Sequence, residues 1–112
     1  MALSLLKEIF MSDTSPVSKR LKQARILQGL SQKQLGIYAG IDEFSASARM
    51  NQYETGKHVP DFLTLKKIAM VLGYSVAYFY AEDEDLALMI KYFTKLNKGG
   101  KDKLLNIILN NP

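Results

Sequence analysis

Apolar residues recur along the chain at intervals of three and four, the spacing that places them on one face of an α-helix. In the first such segment, Val17, Leu21, Ala24 and Leu27 are expected to face inward, and Gly29 ends the helix. The helices predicted within residues 16–81 run from Pro16 or Val17 to Gln28, from Ser31 to Ala39, from Ser45 onward, from Asp61 to Leu72 and from Ser75 to Tyr80. The chain is therefore predicted to be all-α, with a compact body of five helices.

The second and third predicted helices form a short pair joined by a turn. Ser31 is a suitable N-cap for the second helix. Gly40 tolerates the left-handed conformation that often ends a helix, so residues 40–42 are predicted to form the turn. This is the arrangement of a helix-turn-helix DNA-binding motif.

The third helix has two unlike faces. With Ser45 as its cap, Ala46, Met50 and Tyr53 have the i, i+4, i+7 spacing of a buried stripe. The opposite face carries short, uncharged side chains: Ser47, Ala48, Asn51 and Gln52. Such side chains suit base edges, because Asn and Gln can pair bidentately with adenine and an Ala methyl can touch the methyl group of thymine. Arg49 and Glu54 lie on the two flanks.

Further motifs surround this pair. They are Arg20 and Arg25 in an Arg-x-x-x-x-Arg spacing, Gly29-Leu30-Ser31-Gln32, Leu35-Gly36, Gly40-Ile41, Tyr53-Glu54-Thr55-Gly56-Lys57, Pro60, Leu65 to Leu72-Gly73, and Tyr78-Phe79. Together they resemble the lambda-repressor-like, Cro-type (XRE) helix-turn-helix family, over a little more than half of the chain. The resemblance implies a sequence-specific, DNA-binding transcriptional regulator that represses as a dimer.

The resemblance also implies residue roles. The base-reading positions are Ser47, Ala48, Asn51 and Gln52, and the positions at phosphates or flanks are Gln32, Lys33, Arg49, Thr55 and Lys57. Gln32 is further expected to brace the third helix. Arg25 and Glu54 match a family ion pair that orients the helices and has no catalytic role.

One feature departs from the family pattern. The interval from Gly40 to Glu54 is roughly four residues longer than usual, with the extra residues around Asp42-Glu43-Phe44-Ser45. They lengthen either the turn or the start of the third helix.

The charge distribution agrees with DNA binding. The 112 residues carry a net charge of +4. Residues 16–60 hold seven Lys or Arg against three acids, whereas residues 61–112 hold seven against six. The basic excess therefore lies with the predicted DNA-binding helices, as phosphate contacts require.

Helical segments are also predicted on either side of the body. Residues 1–15 are expected to form a short amphipathic helix and a hinge, and residues 82–112 a C-terminal helical hairpin. The acids at 82–85 suit a helix N-terminus. Apolar positions follow at Leu86, Met89, Phe93 and Leu96, then a turn at residues 97–100 and an apolar helix from Asp102 to Asn110. We expect residues 82–110 to form a homodimer interface; alternatively they cover their own body, with Leu3, Leu6 and Phe10 completing the core.

Other function classes find little support. The chain has no Cys and one His, His58, so neither a disulfide nor a metal site is predicted, and no cofactor is expected. No nucleophile has a recognisable base partner, which disfavours an enzyme. The absence of Cys is consistent with a reducing cytoplasm, so a cytoplasmic protein is expected. The amino-terminal segment lacks the pattern of a signal peptide or membrane span. The alternative to a regulator is an antitoxin-like module that binds a protein partner through its apolar ends.

Overall fold

A computed structural model describes residues 2–3 and 15–111. Within them, seven helices and no strand are found: α1 (Val17–Leu27), α2 (Gln32–Tyr38), α3 (Ala46–Thr55), α4 (Phe62–Leu72), α5 (Val76–Tyr80), α6 (Glu84–Phe93) and α7 (Lys98–Leu109). The all-α prediction and the five-helix body are confirmed. The predicted helix within residues 1–15 lies almost wholly outside the described residues.

Side chains cap five of the seven helices, and the predicted cap at Ser31 is one of them. Ser31 accepts a hydrogen bond from the backbone N–H of Gln34, whose side chain in return accepts one from the N–H of Ser31. This reciprocal pair satisfies two amides that the first turn of α2 would otherwise leave unpaired. Asp61 caps α4 and Ser75 caps α5, and each side chain accepts one hydrogen bond from a backbone N–H of the first turn. Gly40 follows α2 with a φ of 90°, a conformation in which any other residue would be strained.

The core lies where α1 to α5 meet. Its largest fully buried apolar side chains are Leu21, Leu35, Met50, Leu65, Ile68 and Phe79. One inward prediction is wrong: Leu27, the last residue of α1, is 66% exposed, and the buried stripe of the helix ends at Ala24. Within α1 the buried positions are Val17, Arg20, Leu21 and Ala24.

Arg20 is the one charged residue of the described chain that is buried as a whole residue, at 1% exposure. Its Nε donates to the carbonyl of Ala81 at 3.0 Å, and its other nitrogens donate to the Glu84 carboxylate at 2.8 Å and the Glu82 carbonyl at 3.3 Å. Lys19 also pairs with Glu84. Arg20 therefore fastens the connection between α5 and α6 to α1.

The C-terminal helices differ in how they join the body. In α6, Ala87 is buried and Ile90 packs partly against the core. Among the described residues, none of those in α7 is buried. Gly99 and Gly100, predicted to form a turn, lie in the first turn of α7 instead. The reason is that Asn97 accepts a hydrogen bond from the N–H of Gly100 and starts the helix before them.

None of the described helices is long and apolar enough to cross a membrane. The boundaries proposed at residues 15 and 81 stay predictions.

Candidate nucleic-acid interface

A very close approach joins α2 and α3. A Cβ atom added at Gly36 in α2 would lie 2.8 Å from the Cβ of Ala46 and 3.0 Å from its carbonyl oxygen. Real Cβ atoms do not come so near, so only glycine permits this separation. The contact falls at the first residue of α3, where it fixes the start of that helix against α2.

The additional residues before α3 form a closed turn. The backbone N–H of Phe44 donates to the Asp42 carboxylate at 3.0 Å, and the N–H of Ser45 donates to the Asp42 carbonyl at 3.0 Å. Asp42 thus caps this turn. Ser45 does occupy the N-cap position of α3, but its hydroxyl makes no capping bond to any residue that the structure describes. Because α3 begins at Ala46, the extra length belongs to the turn.

The two faces of α3 are those that its spacing predicts. Ala46, Met50 and Tyr53 are buried against the body. Three of the four proposed base-reading residues, Ser47, Ala48 and Asn51, are exposed, and Gln52 is half-buried. The structure thus brings these short polar side chains together on one accessible surface.

Gln32, at the start of α2, reaches across to α3. Its Nε2 donates to Asn51 Oδ1 and to Glu54 Oε1, both at 3.2 Å. An amide oxygen has two lone pairs, so Asn51 keeps one lone pair and both of its N–H donors for another partner. Gln32 therefore orients the Asn51 amide without blocking it.

Arg25 and Glu54 form a bidentate ion pair that connects α1 with the end of α3. Arg25 Nε lies 2.6 Å from Glu54 Oε2, and Nη2 lies 2.9 Å from Oε1. Arg25 Nη1 also donates to the carbonyl of Leu30 at 2.9 Å, between α1 and α2. The bonds to Glu54 raise the pKa of Arg25 above its ordinary value. The pair thus ties together the three helices that position the exposed face.

Four flanking residues are exposed, and hydrogen bonds hold two of their side chains. Lys33, Thr55 and Lys57 are exposed. Arg49 is also exposed and donates to the Tyr53 hydroxyl at 3.2 Å. Thr55 donates its hydroxyl to the backbone carbonyl of Gln52 at 3.3 Å. This bond holds the Thr55 side chain close to the end of α3, where a phosphate contact is expected.

Two features of this region were missed at the level of sequence. Asp42 caps the turn, a role that its Asx-type spacing to Phe44 could have signalled. Phe44 itself is 96% exposed, although an aromatic residue is ordinarily expected to be covered. In the part of the chain that the structure describes, no group of three or more His, Asp or Glu residues could hold a metal ion.

The fold and this surface define a class of protein: a compact, all-helical domain in which a short helix pair presents a polar face. No protein-family model matches the chain, and no curated protein matches it. A solved structure, the crystal structure of transcriptional regulator BswR, is 47% identical, with a TM-score of 0.78. The match covers 84% of this chain and 93% of that one. This chain belongs to the same family as BswR.

Proposed function

We propose that this protein is a sequence-specific DNA-binding transcriptional regulator of the Cro-type helix-turn-helix group, and that it represses by occupying its operator as a dimer in the cytoplasm. The observation that carries this proposal is the exposed, uncharged hydrogen-bonding face of α3, held in place by Gln32 and by the Arg25–Glu54 pair. The family relationship with BswR, whose name describes a transcriptional regulator, supports the regulatory role.

In this proposal α3 enters the major groove. Asn51 would read adenine, accepting a hydrogen bond from N6 at its free lone pair and donating to N7. Because Gln32 already fixes the orientation of the Asn51 amide, less side-chain freedom is lost on binding. Ser47, Ala48 and Gln52 would read neighbouring base edges on the same face.

The phosphate contacts would lie on either side of this face. Lys33 in α2 and Lys57 in the loop after α3 are exposed cations that would contact the phosphates bordering the groove. Such contacts set register and affinity without carrying sequence information. Thr55 adds an uncharged contact near Lys57.

The experiment that tests base reading compares two kinds of variant on a selected site and on random DNA. Asn51→Ala and Gln52→Ala should each relax specificity at a defined base position, at a cost of about 1–3 kcal/mol on the specific site only. Lys57→Ala should weaken binding to both DNAs and reduce the salt slope by about one unit. Equal losses on both DNAs for all three variants would refute the proposed reading face.

Dimerisation is proposed from the apolar surface of the C-terminal helices. Leu86, Leu88, Met89 and Tyr92 in α6, and Ile107, Ile108 and Leu109 in α7, are exposed large apolar side chains. Exposed large apolar side chains in such number often mark an interface. A two-fold dimer would also place two copies of α3 about 34 Å apart, the repeat of one DNA turn.

Point substitutions test the dimer better than truncation. Truncation after Glu82 would remove the buried residue Ala87 and the Glu84 carboxylate that pairs with Arg20, so it would also disturb the body. Met89→Glu instead changes an exposed side chain on α6, and Met70→Glu, on the exposed side of α4, is its matched control. We expect Met89→Glu to be a folded monomer by sedimentation, with Met70→Glu remaining a dimer. A dimer for both variants would contradict the assignment of this interface.

The antitoxin-like alternative would use the same apolar surface for a different protein. It predicts that Met89→Glu leaves the oligomeric state unchanged and that Asn51→Ala leaves DNA selectivity unchanged. The two proposals therefore differ in both measurements.

A further inference from the structure

Phe44 is almost fully exposed on the part of the chain that the structure describes. At 96% exposure it is the most exposed of the large apolar residues that the structure describes. Its position is nevertheless defined, because the closed turn capped by Asp42 fixes the backbone on both sides of it. An apolar ring held in water by a fixed turn is suited to contact a partner.

The turn places Phe44 beside the proposed reading face. The Ser45 N–H to Asp42 carbonyl bond closes a single helix-like turn, and Ser45 itself has right-handed helical dihedral angles. Phe44 is two residues before Ala46, where α3 begins, so the exposed ring adjoins the end of α3 at which the proposed reading face starts with Ser47.

The chemistry of the turn limits what Phe44 can contact on DNA. Asp42 and Glu43 are both exposed acids, which phosphate groups repel. The ring has no hydrogen-bond donor for a phosphate either. The Phe44 ring can contact an apolar group in the major groove. The apolar group that base edges present there is the C5-methyl of thymine.

We propose that Phe44 is a further specificity-determining residue, which packs on the methyl group of a thymine next to the bases read by α3. This inference rests on the proposed DNA-binding function. It gives the lengthened turn a role, since the additional residues extend the reading surface by one contact.

Replacing thymine with deoxyuridine tests the contact, because it removes only the methyl group. Each thymine of the wild-type protein's best selected site is replaced in turn, and Kd is measured for wild type, Phe44→Ala and Phe44→Leu. For wild type, one replacement near the site's edge should weaken binding about four-fold, the equivalent of about 0.8 kcal/mol for one buried methyl. Phe44→Ala should bind the two DNAs equally, and Phe44→Leu should keep part of the discrimination.

Leu27→Ala is the control, because Leu27 is an exposed apolar residue of α1 outside the helix pair. It should discriminate thymine from deoxyuridine as wild type does. If wild type binds a specific site but Phe44→Ala keeps the full discrimination, or if no thymine replacement affects wild type, the Phe44 inference is wrong and the proposed function stands. If wild type shows no sequence preference at all, both are overturned.

Discussion

The Arg25–Glu54 pair allows a sharp test of how the proposed reading face is held. Within this pair the Glu54 side chain is 2% exposed and the Arg25 side chain 14% exposed. Arg25→Met removes both bonds to the carboxylate and leaves Glu54 as a buried anion with only the amide of Gln32 as a side-chain partner in the described chain. An uncompensated buried charge is far more costly than a missing pair.

The expected magnitude follows from that burial. Arg25→Met should lower the free energy of unfolding by about 3–5 kcal/mol, a large share of the roughly 5–15 kcal/mol typical of a domain. Glu54→Leu should cost less, because Arg25 still donates to the Leu30 carbonyl and reaches solvent. The double variant should be more stable than Arg25→Met alone, since it buries no unpaired charge.

Urea unfolding at neutral pH measures all four proteins in one double-mutant cycle. An arginine guanidinium is protonated at neutral pH even at its ordinary pKa, so titration of Arg25 does not affect the comparison. Additive single effects would refute the reasoning, because they would mean that the two side chains do not stabilise each other. An unchanged stability for Arg25→Met would refute it equally.

Two further predictions concern the contacts around the helix pair and α6. Hydrogen bonds from Lys19 and Arg20 lower the pKa of the Glu84 carboxyl, so its stabilising contribution is present above its unfolded pKa and is lost as the pH falls through the lower folded value. The urea midpoint of wild type should therefore fall more steeply than that of Glu84→Gln as the pH is lowered below about 5. Glu82→Gln is the control and should behave as wild type, because the Glu82 carboxylate forms no ion pair with any described residue. Equal acid sensitivity in all three proteins would contradict the role of Glu84. Gly36→Ala should destabilise the protein by about 1–3 kcal/mol in urea unfolding, because the added methyl meets Ala46 at 2.8 Å. Gly99→Ala is its control, since the nearest atom there, Asn97 Oδ1, is 3.6 Å away, and a similar loss in both variants would rule out the α2–α3 contact as the cause.

Local signals were sufficient for the helix pair. The capping box at Ser31, the stop at Gly40 and the Ala46, Met50, Tyr53 stripe each depend on residues a few positions apart, so the sequence contains all of the relevant information. The exposed face of α3 follows from the same periodicity. The family resemblance added the Arg25–Glu54 pairing, which spans 29 positions and has no local pattern.

Sequence reasoning missed features where distant partners or competing local signals decide the outcome. Arg20 is buried because its partners lie at residues 81–84, more than 60 positions away, and an arginine in an amphipathic pattern ordinarily indicates an exposed position. Gly99 and Gly100 indicate a turn, but the Asn97 cap starts a helix through them. The exposure of Phe44 also has no simple local signal, because it depends on the turn that holds the ring in solvent.

The central claim, that α3 reads bases as part of a dimer, is tested most directly by selecting bound sequences from random double-stranded DNA with the full chain. The account predicts strong enrichment of a two-fold symmetric site whose half-sites are centred about 10 base pairs apart. Asn51→Ala should lose the preference at one symmetric pair of positions within that site. Recovery of DNA without any enriched sequence, or of the same site unchanged by Asn51→Ala, would contradict the account.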